Sequence, residues 1–228
     1  GQSHLDLRAQ LGDGLQRYGS ETVKRSAALM AISLLMKTVS SFDLRDNHLT
    51  PLEVSALVKG VIAACAADKP LEAIRLAGNS IGSDAVRELG EVLATNTTSS
   101  LTGLDLERTR MCDTDEFGRG PWTNAGLTPI VELLRHCTKL TELNLANNGL
   151  TDDGSLMILK ALSEFRHGGI PLGSFDLSKN RLSETACGAL LKTLSACKKL
   201  TRLLMRDCGL NASCAKLIAR AISISHVK

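Results

Sequence analysis

Aromatic residues are scarce in this sequence, where Phe, Trp and Tyr together make up 3% of 228 residues. Hydrophobic residues as a whole reach 43%, so a sizeable core must be aliphatic, and the aromatic anchors that dominate many binding hot spots are few. An excess of charge of one sign is also missing, because 27 Lys and Arg stand against 24 Asp and Glu. That balance predicts no nucleic-acid partner and no membrane partner.

Long apolar runs and catalytic motifs are missing as well. No apolar run reaches the roughly 20 residues of a membrane-spanning helix, and no secretory signal is visible. The seven cysteines form no C-x-x-C pair, which favours small buried residues in a reduced, cytoplasmic protein. No phosphate loop or nucleophile elbow occurs. We therefore predict no catalytic residue, no metal, no cofactor and no small-molecule substrate.

What the sequence does contain is a repeat. The stretch "LTELNLANNGL" has leucines at shared positions and recurs with spacings of 28 to 39 residues. Each copy is followed by a residue suited to a helix N-cap and then by apolar residues at i, i+4 and i+8, which is one face of a helix. The pattern predicts six strand–turn–helix units, which must stack to bury their apolar faces. The copies of the strand half occupy 39–49, 71–81, 101–111, 140–150, 172–182 and 200–210, and the cap positions are Thr50, Gly82, Thr123, Thr151, Ser183 and Asn211.

One polar position recurs in the turn of each unit. An Asn there can hydrogen-bond backbone groups that no strand partner reaches, a Cys fits as a compact buried residue, and a Thr keeps a single hydroxyl. We expect this position to be buried and to hold the turns together. It is occupied by Asn47, Asn79, Thr109, Asn148, Asn180 and Cys208.

These shared leucines, turn residues and helices resemble the leucine-rich repeat, in particular its long, ribonuclease-inhibitor-like class. The resemblance implies an α/β solenoid shaped as a horseshoe, with parallel strands on the concave face and α-helices on the convex face. We expect a leucine-rich repeat domain over 39–228. Residues 1–38 are predicted to form either an irregular N-terminal repeat, making a seventh strand, or a helical cap. We also expect the chain to be part of a larger protein.

The third full unit carries an insertion at about 110–121, which is charged and rich in glycine. Insertions in solenoids map to loops and often lie near binding faces. By alignment Trp122 takes the slot of Leu150 and Leu182, which predicts a core position, and the alternative is an exposed aromatic contact for a partner. Pro129 falls in mid-helix, where it should kink the helix or restart it.

The residues between the consensus leucines should face the concave surface, because alternate residues of a strand point to opposite sides. The middle of this face is acidic, with arginines towards both ends, and separated signs of this kind orient a partner. Acidic residues in the middle favour a partner with basic character opposite them. We predict that the partner-binding residues are Asp43, Arg45, Arg75, Asp105, Glu107, Glu142, Asn144, Asp176, Arg202 and Arg206.

Two hypotheses of function follow. The first is a non-catalytic module that binds a protein partner, of unpredicted identity, mainly through the concave face, with help from the 110–121 loop. The alternative is a GTPase-activating protein, because the Ran GTPase activator is built from the same repeat type and would act on another protein's site. For that alternative the one residue free of a structural role in the repeat is Asn147.

Overall fold

The computed structural model describes residues 4–8, 39–66, 71–96, 100–114, 119–165 and 170–223. Seven short parallel strands form one sheet, and their order in the sheet follows their order in the chain. From β2 onward, each strand covers the third to fifth residues of the strand half of its repeat. Equivalent residues of successive repeats therefore lie side by side in the sheet. The strands are β1 (His4–Asp6), β2 (Ser41–Asp43), β3 (Ala73–Arg75), β4 (Gly103–Asp105), β5 (Glu142–Asn144), β6 (Ser174–Asp176) and β7 (Arg202–Leu204).

The first strand settles one of the open points in the N-terminal segment. β1 pairs with β2 in the same register as every later pair, with Leu5 opposite Phe42. The strand expected at this position is therefore confirmed and brings the sheet to seven strands. The rest of the predicted N-terminal repeat or helical cap, residues 9–38, lies outside the described residues.

A helix follows each strand from β2 onward within the described residues. Consecutive helices pack against each other, and their inner faces bury the apolar i, i+4, i+8 residues together with the strand leucines in one continuous core. The predicted layering, with strands on one side and helices on the other, is confirmed. The helices are α1 (Pro51–Ala66), α2 (Gly82–Asn96), α3 (Leu127–His136), α4 (Asp152–Ser163), α5 (Glu184–Ala196) and α6 (Ala212–Ser223).

The recurring turn asparagines form the predicted hydrogen-bonded ladder. The amide oxygen of Asn79 accepts the N–H groups of Asn47 and Leu49, both at 3.0 Å, while its amide nitrogen donates to two backbone carbonyls. Asn148 and Asn180 repeat this arrangement. Each side chain thus satisfies buried backbone groups of its own repeat and of the repeat before it.

The two substitutes for asparagine do less. The hydroxyl of Thr109 has one proton to donate, and it lies 3.0 Å from both the carbonyl oxygen of Leu106 and the amide oxygen of Asn148. The thiol of Cys208 lies 3.4 Å from the carbonyl of Leu177, a weak donor contact. The turn ladder is therefore strongest in the asparagine repeats and weakest at its C-terminal end.

The insertion provides a helix cap that the sequence pattern did not reveal. Gly82 stands at a cap position but has no side chain. In its place, one carboxylate oxygen of Asp113 accepts the N–H of Ser83 at 2.8 Å, and the other accepts the Ser83 hydroxyl. A carboxylate at the N-terminus of a helix both satisfies free N–H groups and complements the helix dipole. Asp113 in one repeat therefore caps α2 of the repeat before it.

Two expectations for the helix after the insertion are wrong. Thr123 is not its N-cap, because α3 begins four residues later at Leu127, and the Thr123 hydroxyl instead accepts the N–H of Ala125 at 3.1 Å. Pro129 is consequently the third residue of the helix rather than a mid-helix residue. In the first turn a proline forfeits no intrahelical hydrogen bond, so Pro129 neither kinks nor restarts the helix.

The core position predicted for Trp122 is also wrong. Its side chain is 49% exposed, and its backbone has a positive φ of 46°. The slot equivalent to Leu150 is filled by Met111, which is fully buried. Alignment on the strand half of the repeat therefore identifies the core side chain, and alignment on the displaced helix does not.

Candidate functional site: the concave face of the sheet

The exposed face of the sheet encloses a hollow of about 590 Å³ that extends across strands β3 to β7, with Arg45, just after β2, at its margin. Small residues make room in it, because Gly103 and Gly173 lie on its floor. Of the ten residues predicted to bind a partner, seven line this hollow: Arg45, Arg75, Asp105, Glu142, Asn144, Asp176 and Arg202. The structure therefore brings most of the predicted residues to one concave surface.

Asp43 lies beside this surface but is only 2% exposed. Its carboxylate accepts a 2.9 Å hydrogen bond from Nε of Arg45 and a 3.2 Å bond from Nη2 of Arg8. Burial alone would raise the pKa of Asp43, but the bonds from the Arg45 side chain and backbone and from Arg8 outweigh burial and lower it to about 2. Asp43 is thus held ionised between two arginines and presents almost no surface to a partner.

The predicted acidic patch is paired with cations and an amide of the same face. Arg45 extends across β3 to Asp105, with 3.8 Å between Nη1 and Oδ2, and Arg75 contacts Glu142 at 3.7 Å between Nη2 and Oε2. Burial raises the pKa of Asp105, since its side chain is only 15% exposed. The carboxylates at the centre therefore present less negative charge than the sequence suggests.

Glu107, two residues after the end of β4, belongs to the same acidic patch, and its side chain also has a hydrogen-bonding partner. Its carboxylate accepts a 3.1 Å hydrogen bond from Nδ2 of Asn144. This contact joins β4 to β5 just beyond the ends of the strands.

The last residue of each strand contributes to a central row of side chains on this face. This row has a second, structural role that sequence reasoning missed. In five strands its Asp or Asn side chain accepts the N–H of the residue two positions later, at 2.8 to 3.3 Å. Such side-chain bonds close an Asx turn as the chain leaves the strand. The signal was the recurrence of Asp or Asn at this position. The five residues are Asp6, Asp43, Asp105, Asn144 and Asp176.

The C-terminal end of the face differs. Arg202 in β7 and Arg206 in the turn that follows it are exposed, and neither side chain forms an ion pair with any residue that the structure describes. The central position of β7 is the half-buried Leu204, which lines the hollow. Free cations and an accessible apolar side chain are therefore concentrated at this end.

Comparison with known proteins agrees with the repeat architecture. A family model described as "Leucine Rich repeat" matches residues 136–159. The chain is 30% identical over 177 residues to NACHT, LRR and PYD domains-containing protein 9 of Bos taurus, covering 68% of this chain and 17% of that protein. It is 36% identical over 74 residues to Protein NLRC5 of Mus musculus, covering 32% of this chain and 4% of that protein.

The chain is a leucine-rich repeat protein. It spans less than a fifth of the length of these curated relatives. The comparisons lend no support to the GTPase-activator alternative. Asn147, the residue on which that alternative depended, is half-buried in a left-handed turn, where its N–H donates to the carbonyl of Ser178 at 2.8 Å.

A second hollow of the leucine-rich repeat protein, of about 520 Å³, lies at the edge formed by the loops between strands and helices. Exposed Trp122 lines it, together with the first residues of α4 and the turns around Lys179 and Asp207. Trp122, directly after the insertion, therefore places an aromatic side chain at this edge. Insertion residues 115–118 lie outside the described residues.

Over the six described ranges, no helix combines the length and apolar composition that crossing a membrane requires. Among the same residues, no group of three His, Cys, Asp or Glu side chains is placed to hold a metal ion.

Proposed function

We propose that this leucine-rich repeat protein is a non-catalytic module that binds a protein partner through the concave face of its sheet, with a contribution from the 110–121 loop. One observation carries the proposal: the hollow crosses five strands, β3 to β7, and is floored by glycine and small polar residues. Such a surface admits the backbone of a protein partner and supplies hydrogen-bonding groups along its length. The helices of 10 to 16 residues support the ribonuclease-inhibitor-like class of repeat.

The proposal includes a reducing, intracellular setting and a larger parent protein. Six of the seven cysteines are buried as free thiols, and burial raises the pKa of Cys112 and Cys197 to about 12. Thiols of this kind act as small apolar residues rather than as reactive groups. The name of the bovine relative combines an LRR region with other domains. This supports a role for these repeats as the recognition part of a larger, multidomain protein.

A steric block tests the concave-face proposal. Ser174 lies in the hollow, and Ser195 is exposed on α5 at the opposite side of the protein. Proteins captured from a cell lysate by wild type, Ser174→Trp and Ser195→Trp would be compared by quantitative mass spectrometry, with thermal unfolding as the control for folding. We expect Ser174→Trp to lose the specific partners and Ser195→Trp to retain them. Equal recovery by both variants would show that the concave face is not the binding surface.

A further inference from the structure

The last two repeats are much more basic than the rest of the chain. Residues 170–223 contain nine Lys and Arg but only three Asp and Glu, although the whole chain is nearly balanced at +3. The remainder of the sequence is correspondingly acidic. The two ends of the repeat stack therefore differ in charge, and the difference reaches the concave face at β7.

The cations of the first strands are already engaged within the protein. Arg8 and Arg45 bind Asp43, and Arg75 contacts Glu142. In contrast, the register places Ser174 beside Arg202, and the N–H of Arg206 donates to the hydroxyl of Ser178 at 3.1 Å, so no carboxylate of β6 stands directly opposite either arginine. Among the described residues, neither guanidinium group forms an ion pair.

The spacing along the chain sets the form of an anion that fits these two arginines. Arg202 and Leu204 lie on β7 and line the hollow, and Arg206 follows two residues later in the turn after the strand. At the strand rise of about 3.3 Å per residue, the two arginines are at most about 13 Å apart along the chain. An extended peptide has the same rise, and its side chains on one face also recur at every second residue. Carboxylates four residues apart would therefore meet the two arginines, with an apolar side chain between them against Leu204.

We propose that β7 recognises an extended acidic segment of a protein partner with the pattern acid–x–apolar–x–acid. This inference rests on the proposed function and specifies the chemistry of its partner. Arginine suits the task because its planar guanidinium bonds a carboxylate through two N–H groups. The sequence predicts a partner with basic character opposite the centre of the face. At the β7 end, the inferred partner segment is acidic instead.

Other residues of the hollow restrict the ligand to a short acidic segment. Asp105, Glu142 and Asp176 line the same hollow on β4, β5 and β6, and Asp176 lies directly beside Leu204. A polyanion such as a nucleic acid, lying across the sheet, would bring its phosphates against these carboxylates. A peptide that runs along β7 avoids most of them.

Fluorescence anisotropy with a labelled synthetic peptide, Ser-Glu-Ser-Leu-Ser-Glu-Ser, tests the inference. We expect wild type to bind it and Arg202→Glu/Arg206→Glu to lose at least about tenfold in affinity, since two attractions become repulsions. The matched control is Lys216→Glu/Arg220→Glu, which makes the same change in net charge at exposed positions of α6 in the same repeat. It should change affinity by less than about twofold.

A peptide of the same composition, Ser-Ser-Glu-Glu-Leu-Ser-Ser, should bind more weakly than the spaced one. Equal losses in the β7 variant and the α6 variant would overturn the inference, because they would indicate a diffuse field. Equal binding of the two peptides, or stronger binding of a single-stranded oligonucleotide, would overturn it too. If the spaced peptide fails to bind wild type while Ser174→Trp still loses captured partners, the inference about β7 fails and the proposed concave-face function stands.

Discussion

Strands β1 to β5 and strands β6 to β7 present the same kind of surface but use their charges differently. In the first group, arginines and carboxylates pair with one another across strands. In the second, Arg202 and Arg206 have no ion pair with the described residues. The comparison shows that a charge which faces solvent in a strand pattern can still be engaged within the protein.

The cause is the register of a parallel sheet. Adjacent strands are about 4.8 Å apart, so side chains at equivalent positions of neighbouring repeats come within reach of each other. Arg75 lies directly between Asp43 and Asp105 in the central row. At the other end Asp176 is followed by Leu204. The residue type at one repeat position thus decides whether the charges on the face pair with each other or have no ion-pair partner among the described residues.

The largest expected effect concerns the turn ladder, which is also strong in the middle and weak at the end. Asn148→Ala leaves the buried N–H groups of Thr109 and Met111 without their acceptor, and buried unsatisfied groups cost about 1 to 3 kcal/mol each. We expect a loss of about 3 to 5 kcal/mol in the free energy of unfolding. Cys208→Ala should lose only about 1 kcal/mol. Urea unfolding measures both, and similar losses would contradict the contrast.

The next effect isolates the paired arginines. Arg45→Ala removes the main partner of buried Asp43 and should destabilise the protein by about 2 to 3 kcal/mol, somewhat below the cost for a fully buried pair because Arg45 keeps some solvent contact. Arg202→Ala is the matched control on the same face and should change stability by less than about 0.5 kcal/mol. Comparable changes in urea unfolding would show that the ion pairs are not structural.

Most of the fold could be predicted because each repeat position has one physical task. The leucines that alternate in "LTELNL" can only be buried in a strand, and a turn asparagine repeated at intervals of about thirty residues indicates stacking. The same logic failed at the insertion, since Trp122 and Thr123 were aligned on the helix that follows it. The cap role of Asp113 was hidden because it acts on another repeat.

The site could be predicted as a surface but not as a set of free residues. Alternation placed Asp105, Glu142 and Arg202 on the concave face, and the hollow contains all three. Whether a side chain there is paired depends on contacts between residues 30 to 60 positions apart, such as Arg45 with Asp105. A single strand pattern holds no information about such contacts. Their roles in partner binding stay predictions.

The pH dependence of stability gives a third way to test the paired half. The pKa of Asp43 is about 2 in the folded protein against an ordinary value of 3.8, so folding favours its ionised form. This contribution, about 2 kcal/mol, is complete above about pH 4 and is lost as the pH falls through 2. Asp105 has the opposite sign, because its raised pKa favours the protonated form in the folded state.

Urea unfolding of wild type and Asp43→Asn at pH 6 and pH 3 separates these contributions. We expect the stability difference between the two proteins to shrink at pH 3, since part of the Asp43 contribution has gone from the wild type. A difference that is the same at both pH values would mean that the carboxylate of Asp43 does not stabilise the fold by its charge.

The smallest effect concerns the insertion, where Asp113 accepts hydrogen bonds from Ser83 of the preceding repeat. Asp113→Ala should cost about 1 to 2 kcal/mol, because α2 begins at a glycine and loses its only side-chain cap. Asp153→Ala, an exposed carboxylate in the first turn of α4, keeps the Thr151 cap and should cost about 0.5 kcal/mol. Hydrogen exchange would then show faster opening confined to the first turn of α2. Unchanged exchange there would mean that Asp113 does not cap α2.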